Sequence, residues 1–357
     1  MTKPRILSGD TPTGRLHLGH WVGSLENRLA LQEDYDCYFL IANTHAFTTR
    51  MDKPAEIRQS VLDIATDWLA CGIDPQKSTL FIQSEIPAIA ELTFFFSMLL
   101  PYPRVMRNPT IKDEIRDKGL GDNYPFGFLL YAVGQTADIL CFRPEIVPVG
   151  EDQIPHLEMT REVARKFNQL YCGVNSHTED KDYIAQGALF PIIETKLGRT
   201  KRLIGLNGPN AAGNLTKMSK SLNNAIFLSD DSDTLKKKIM GMYTDPKRLK
   251  ASDPGTIENN PLWVFHETFN PDTVWVEEAK ARYQAGQIGD VECKRKLIEV
   301  LDAFLAPIRI RRAEYAADPG AVLAILKDGT ARANLVANET LRLAKVAMKQ
   351  NYFDAIG

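Results

Sequence analysis

The chain has 357 residues, 44% hydrophobic and 25% charged, with a formal net charge of −2; this is ordinary globular usage, long enough for about two domains. Near-neutral charge excludes whole-molecule attraction to polyanions, so phosphate contacts must come from local basic patches. Five scattered cysteines without a C-x-x-C pair argue against a disulfide framework or zinc knuckle, and the lack of any apolar run of about 18 residues, or of an apolar leader after Met1, predicts a cytoplasmic protein with no membrane association.

Through residues 1–205 short apolar runs alternate with amphipathic segments, the pattern of an α/β domain with a doubly wound, Rossmann-like parallel sheet. Strands are predicted over 5–8, 37–42, 80–83, 146–149 and 203–206, and helices over 18–32, 55–71, 88–100 and 153–170. Residues 101–141 break into Pro- and Gly-punctuated pieces and read as a helical insertion. Residues 206–229 begin with a run of turn formers, Asn207 to Asn214, and are expected to form a mobile loop. Residues 230–357 read as a C-terminal all-helical domain, with helices over 233–240, 261–269, 274–285, 291–315 and 321–348, the long ones broken or capped.

The first strand leads into Gly9-Asp10-Thr11-Pro12-Thr13-Gly14-Arg15-Leu16-His17-Leu18-Gly19-His20, a turn-rich loop feeding a helix N-terminus, where backbone N–H groups and the helix dipole favour an anion. His17 and His20, placed on one helix face, can donate to phosphate oxygens, and Gly19 leaves room for a flat ring to approach the backbone. The plainer reading makes them surface or capping histidines. A metal is not expected, because no third ligand lies nearby in sequence. The second motif is Lys217-Met218-Ser219-Lys220-Ser221. Two ammonium groups three residues apart can close over a triphosphate and meet the charge on departing pyrophosphate. Alone, such a pair is usually a solvated face.

The two motifs in this order resemble the class I aminoacyl-tRNA synthetases. Val147-Pro148-Val149-Gly150-Glu151-Asp152-Gln153 and the helix after it are similar to the bacterial tryptophanyl-tRNA synthetases, a likeness that extends over essentially the whole chain. The resemblance implies ATP, taken with Mg²⁺, at Thr11, Pro12, Thr13, Gly19, His20, Gly150, Glu151, Asp152, Leu203, Lys217, Met218, Ser219, Lys220 and Ser221, with His17, His20, Lys217 and Lys220 serving catalysis and no bound prosthetic group. An acidic side chain at the carboxyl end of a strand can accept a ribose hydroxyl, although Glu151 and Asp152 could equally cap a helix. For the amino acid the same likeness implies Leu7, His45, Tyr131, Gln135, Asp138, Val147, Val149 and Gln153. Asp138 would accept the indole N–H, and such a site rejects analogues lacking the donor. His45 by itself would be read as structural.

Two positions depart from the pattern. Gln135 stands where many relatives have methionine, and Tyr131-x-x-x-Gln135-x-x-Asp138 is also the spacing by which tyrosyl-tRNA synthetases hold a phenol; Thr11 stands where many place a glutamine. A tyrosine enzyme therefore remains an alternative, as does a small-metabolite adenylyltransferase using His-x-Gly-His, or a synthetase-like protein kept for binding or regulation. The implied chemistry is attack of the amino-acid carboxylate on the α-phosphorus of ATP, then transfer to the terminal ribose of tRNA(Trp), without a covalent enzyme intermediate. Basic clusters at Lys236-Lys237-Lys238, Lys247-Arg248-Leu249-Lys250 and Arg309-Ile310-Arg311-Arg312 are candidates for tRNA phosphates, and the resemblance implies a homodimer.

Overall fold

β1 (Arg5–Asp10) lies at the centre of a five-stranded parallel sheet of order β3-β2-β1-β4-β5, with β2 (Asp36–Ile41), β3 (Ser78–Ile82), β4 (Ile146–Val149) and β5 (Glu194–Leu197). The computed structural model describes all residues except 1–2, 118, 122, 150–152, 198–202, 211–212, 247, 251 and 354–357, and all described side chains except those of Asp117 and Leu197. Ile6 of β1 pairs with Cys37 on one side and Ile146 on the other. Alternate residues feed two cores, as the period of a strand requires. Ile6, Phe39 and Leu80 join one cluster, whereas Leu7, Leu40 and Phe81 join the other. Burial on both faces explains why these strands read as continuous apolar runs.

The fifth strand is a correction: residues 203–206, expected to form it, do not join the sheet. Leu203 and Leu206 are buried, which makes the segment strand-like in composition. Its backbone instead forms an isolated bridge from Ile204 to Lys217, with Gly205 N–H donating to Thr216 O at 2.9 Å and Met218 N–H to Leu203 O at 3.1 Å. Edge pairing falls to β5, where Val147 faces Thr195.

The predicted helix over 18–32 is three pieces in one rod: α1 (Leu18–His20), a π-helical turn (Trp21–Leu25) and α2 (Glu26–Leu31). A helix that sequence periodicity missed, α3 (Asn43–Arg50), buries only Ala46, so it has no apolar stripe to betray it. α4 (Pro54–Cys71) ends at Gly72, whose φ of 108° is the left-handed stop that glycine permits. Then follow α5 (Pro87–Ser97), α6 (Tyr102–Met106), α7 (Pro109–Asp117), α8 (Phe126–Leu140) and α9 (Ile154–Tyr171).

Beyond Ser232 the named elements are all helices: α10 (Ser232–Met240), α11 (Pro261–Phe269), α12 (Thr273–Gln284), α13 (Asp290–Ala317) and α14 (Pro319–Ala347). The last two are unbroken, and α14 carries the cap expected of a long helix. α13 absorbs Pro307 and buries Cys293, Leu297, Leu301, Leu305 and Ile308 on one stripe, and that packing outweighs the lost backbone bond. α14 starts on an Asp318 cap that accepts from Ala321 N–H at 3.0 Å.

α14 also covers the free edge of β3, where unpaired backbone groups would otherwise invite another strand. Ile82 N–H donates to Thr330 Oγ1 at 3.3 Å, and Arg332 donates to the carbonyls of Pro75 and Ser78 at 2.9 and 3.3 Å. Close approach depends on Gly329: a Cβ there would sit 2.0 Å from Leu80 O. Gly329→Ala is expected to cost about 1–3 kcal/mol through this backbone overlap, in spite of alanine's better helix propensity; urea denaturation that shows equal or greater stability would contradict the packing described.

Candidate active site

Chain connectivity reverses between β1 and β4, and at their carboxyl ends lies a cavity of about 510 Å³, within the range of small-molecule sites. Leu7, Leu40, Ala42, Val147 and Val149 line it with apolar surface, Thr11 and Thr13 stand toward one end, and His45, Tyr131, Gln135, Asp138, Gln153 and His156 toward the other. All the amino-acid-pocket candidates therefore meet in one space, although they come from β1, α3, α8, β4 and the turn before α9. Gly150, Glu151 and Asp152 lie outside the described residues, as does Lys247.

Asp138 is buried, and burial pushes its carboxyl up to about 7 against the lowering effect of Gln83. Gln83 Nε2 donates to Asp138 Oδ1 and Oδ2 at 2.8 and 2.9 Å and lies 3.1 Å from His45 Nε2. Burial likewise drives the His45 imidazole down to about 4, so it is neutral at pH 7. The Tyr131 hydroxyl donates to Glu114 at 3.1 Å and lies 3.5 Å from His156 Nε2; burial, with Glu114 beside it, raises its pKa. Gln135 Nε2 donates to Gln153 Oε1 at 3.3 Å, joining the two glutamines across the cavity.

At the other end the two motifs touch. Gly19 N–H points at Met218 Sδ, 3.3 Å away and 199 positions later in sequence, and Lys220 Nζ donates to Gly14 O at 2.9 Å and Thr13 Oγ1 at 3.3 Å. Pro12 is buried, Thr11 and Lys217 are exposed, and Ser219 and Ser221 share a 2.9 Å hydroxyl pair. The histidines meet by a route other than a shared helix face. His17 is the extended N-cap of α1 and His20 its third residue, with ring centroids 3.9 Å apart and His17 N–H donating to His20 Nδ1 at 3.1 Å. The ring that Gly19 admits is that of His17, since a Cβ there would lie 2.9 Å from it.

Charge at this end is muted. Burial lowers His17 to about 3 and His20 to about 4, the latter resisted by Asp10. Both are neutral donors at pH 7. Burial also lowers Lys220 to about 8, with Asp10 and Asp67 resisting.

Several supporting residues escaped sequence reasoning. Arg28 donates to Ser8 Oγ at 3.1 Å, Asp10 Oδ2 at 2.7 Å and Gly9 O at 3.0 Å, and Trp68 Nε1 donates to the same Asp10 oxygen at 3.0 Å. Burial raises Asp10, but Arg28, His20 and Trp68 together outweigh it and the net direction is down. Asn224 accepts from Ser219 N–H at 2.8 Å and donates to Lys217 O at 3.2 Å, shaping the second motif. Asp67 Oδ2 accepts from Leu16 N–H at 2.8 Å while its Oδ1 accepts from Arg312 Nε at 2.6 Å. The i-to-i+3 signals that reveal caps do not exist for pairs at these spacings.

The basic clusters are corrected in part. Arg309 pairs with Asp302, Arg311 donates to Ala70 O at 2.6 Å and Arg312 pairs with Asp67, while Arg248 is buried against Asp290 and Tyr283. Lys238 pairs with Asp230 at 2.6 Å. These cations satisfy internal carboxylates and carbonyls, leaving Lys236, Lys237 and Lys250 exposed.

A family model of class I tRNA synthetases (W and Y) matches residues 1–306. This chain belongs to that family, and so to the aminoacyl-tRNA ligases. It is 48% identical to the tryptophan–tRNA ligase of Lactococcus lactis subsp. lactis (strain IL1403), over 99% of this chain and 100% of the relative. Identity is 47% to that of Streptococcus pneumoniae serotype 4 (strain ATCC BAA-334 / TIGR4), with the same coverage of 99% and 100%. The tryptophanyl-tRNA synthetase of Campylobacter jejuni, solved with ADP and tryptophan, superposes with a TM-score of 0.81 at 29% identity, covering 97% of this chain and 99% of that one.

Arg312→Met tests the Asp67 linkage. Burial raises the Asp67 carboxyl and Arg312 is its main opposing partner, so removing Arg312 raises it further. A carboxyl raised by folding stabilises when protonated, and that stability is lost as pH rises through its folded pKa. The variant is expected to lose about 3 kcal/mol at pH 8 and distinctly less at pH 5, as read by urea denaturation; equal losses at the two pH values would exclude a buried carboxylate as the cause.

Proposed function

We propose that the protein is a tryptophan–tRNA ligase that activates L-tryptophan with ATP and passes the aminoacyl group to tRNA(Trp), holding both small substrates in the cavity between β1 and β4. The observation that carries this reading is the meeting of two motif segments, 199 positions apart, beside a cavity with a buried carboxylate at its far end. ATP, with its Mg²⁺, lies along Thr11, Pro12, Thr13, Gly19 and His20, with Gly150, Glu151, Asp152 and Leu203 around the nucleoside. Lys217 and Lys220, with Met218, Ser219 and Ser221, close over the triphosphate. Tryptophan packs on Leu7, Val147 and Val149, donates its indole N–H to Asp138, and is framed by His45, Tyr131, Gln135 and Gln153.

A carboxylate is already nucleophilic, so the protein needs only to align it with the α-phosphorus and to meet the charge on leaving pyrophosphate. Alignment removes about 7–11 kcal/mol of barrier. Neutral His17 and His20 donate to phosphate oxygens without the cost of burying two cations, and Lys220, lowered to about 8 by burial, regains full charge when a polyphosphate arrives beside it. The acceptor arm of tRNA brings its ribose to the same place, with Lys236, Lys237 and Lys250 available to phosphates farther along. A homodimer is supported by large apolar side chains left exposed on α5 and just after it, on α6 and at the start of α8, namely Phe94, Met98, Tyr102 and Phe126. A cytoplasmic setting agrees with five unpaired cysteines, and among the described residues no helix is long and apolar enough to cross a membrane.

Amino-acid-dependent exchange of labelled pyrophosphate into ATP, run with tryptophan and tyrosine side by side, tests the reading: exchange with tryptophan is expected to exceed that with tyrosine by about 10³ or more in kcat/KM, and a preference for tyrosine would overturn it. Lys217→Ala and Lys220→Ala are each expected to slow adenylate formation by about 100-fold with the tryptophan KM little changed. Pre-steady-state rates equal to wild type in both variants would remove these lysines from the chemistry.

A further inference from the structure

Gln83 belongs to neither motif, yet it is buried at the end of β3 with every polar atom of its side chain engaged. Its Oε1 accepts from the backbone N–H groups of Thr44 at 3.1 Å and His45 at 3.3 Å, and from the Thr44 hydroxyl. A backbone N–H can only donate, so the amide has one orientation: oxygen toward the first turn of α3, nitrogen toward the cavity. That nitrogen has two hydrogens and three acceptors within reach, Asp138 Oδ1, Asp138 Oδ2 and His45 Nε2. When it donates to His45 Nε2, the single proton of the neutral ring must sit on Nδ1. The alternative tautomer would matter, because His45 Nε2 is only 3.6 Å from Asp138 Oδ2 and a proton there would satisfy the carboxylate from within.

We propose that Gln83 is a positioning residue for amino-acid specificity: by donating to both Asp138 and His45 it holds His45 in the Nδ1–H tautomer and keeps one Asp138 lone pair open for the substrate's indole N–H. This rests on the reading of Asp138 as the indole acceptor. The amide also supplies the carboxylate with a donor that cannot be titrated. Burial alone would favour a protonated, donating Asp138, which could not accept from an indole, and Gln83 opposes that change.

The test compares tryptophan with its analogue carrying sulfur in place of the indole nitrogen, in ATP–pyrophosphate exchange by full-length Gln83→Leu, Gln83→Glu and Asp138→Ala. In Gln83→Leu, His45 is free to turn its N–H onto Asp138. Its tryptophan KM is expected to rise about tenfold, and its preference for tryptophan over the sulfur analogue to fall about tenfold, with the KM for ATP unchanged. Gln83→Glu keeps the oxygen that α3 binds but sets a second carboxyl against Asp138. The two share one proton in acid and repel when both are ionised; other titratable groups around this end are His45 on α3, Tyr131 on α8, Cys141 just after it, Glu114 on α7 and His156 on α9. Relative to wild type at each pH, the tryptophan KM of Gln83→Glu should therefore approach normal at pH 6 and worsen by pH 8, whereas that of Gln83→Leu should stay raised at both. If Gln83→Leu discriminates like wild type while Asp138→Ala has lost discrimination, Gln83 is merely structural and the proposal fails. If Asp138→Ala also discriminates like wild type, the reading of Asp138 fails first and this inference falls with it. Should Gln83→Leu not fold, Gln83→Glu alone decides, and a tryptophan KM with the pH course of wild type overturns the proposal.

Discussion

The carboxylate of Asp67 is the constraint on which the arrangement of the site depends. It sits fully buried on α4, taking one hydrogen bond from the backbone of the first motif loop and another from Arg312 on α13. A buried carboxylate left with one partner is costly, so the loop, α4 and α13 are held in one mutual position. On the loop's other side, Leu18 N–H donates to Ile226 O at 2.9 Å and Leu228 N–H to Leu16 O at 3.0 Å. The first motif is thereby a strap fixed between the sheet's helices and the segment that follows the second motif, and its backbone cannot shift without disturbing groups far along the chain.

This fastening makes sense of an apolar core that ignores the boundary suggested by composition. One cluster joins Ile6, Phe39 and Trp68 with Leu262, Leu297 and Leu301, and α14 crosses from that cluster to the opposite one as it covers the edge of β3. The C-terminal helices therefore bury the outer face of α4 and complete the sheet, and only part of their surface is left for a nucleic-acid partner. Their arginines are largely engaged in this task, which is why basic runs that look like a phosphate-binding surface in one dimension turn inward in three.

Electrostatically the cavity is built from groups whose charge is held back. Two histidines are kept neutral, a lysine is lowered to about 8, and Asp138 is raised to about 7, in every case chiefly by burial. The same desolvation that costs folding energy leaves these groups responsive to a polyphosphate or an indole that brings complementary charge or hydrogen bonds. Asp10 differs because Arg28 and Trp68 commit it to the scaffold.

What the sequence by itself determined is whatever local period and motif spacing encode. Apolar runs located β1 to β4, since strands buried on both faces need them, and the glycine- and histidine-bearing turn and Lys-Met-Ser-Lys-Ser announced themselves through residue types that the chemistry requires at short range. Where the local signal and the three-dimensional demand diverged, sequence failed: α3 has no apolar stripe, and the leucines at 203 and 206 serve a turn under the second motif instead of a strand. Only the tertiary structure decided that Gln83, Arg28, Asp67 and Asn224 organise the site, because each acts through hydrogen bonds to groups distant in sequence or to main-chain atoms, which no pattern of neighbouring side chains records. The direction of the arginines of α13 was settled there too, by the buried carboxylate and the carbonyls that they meet.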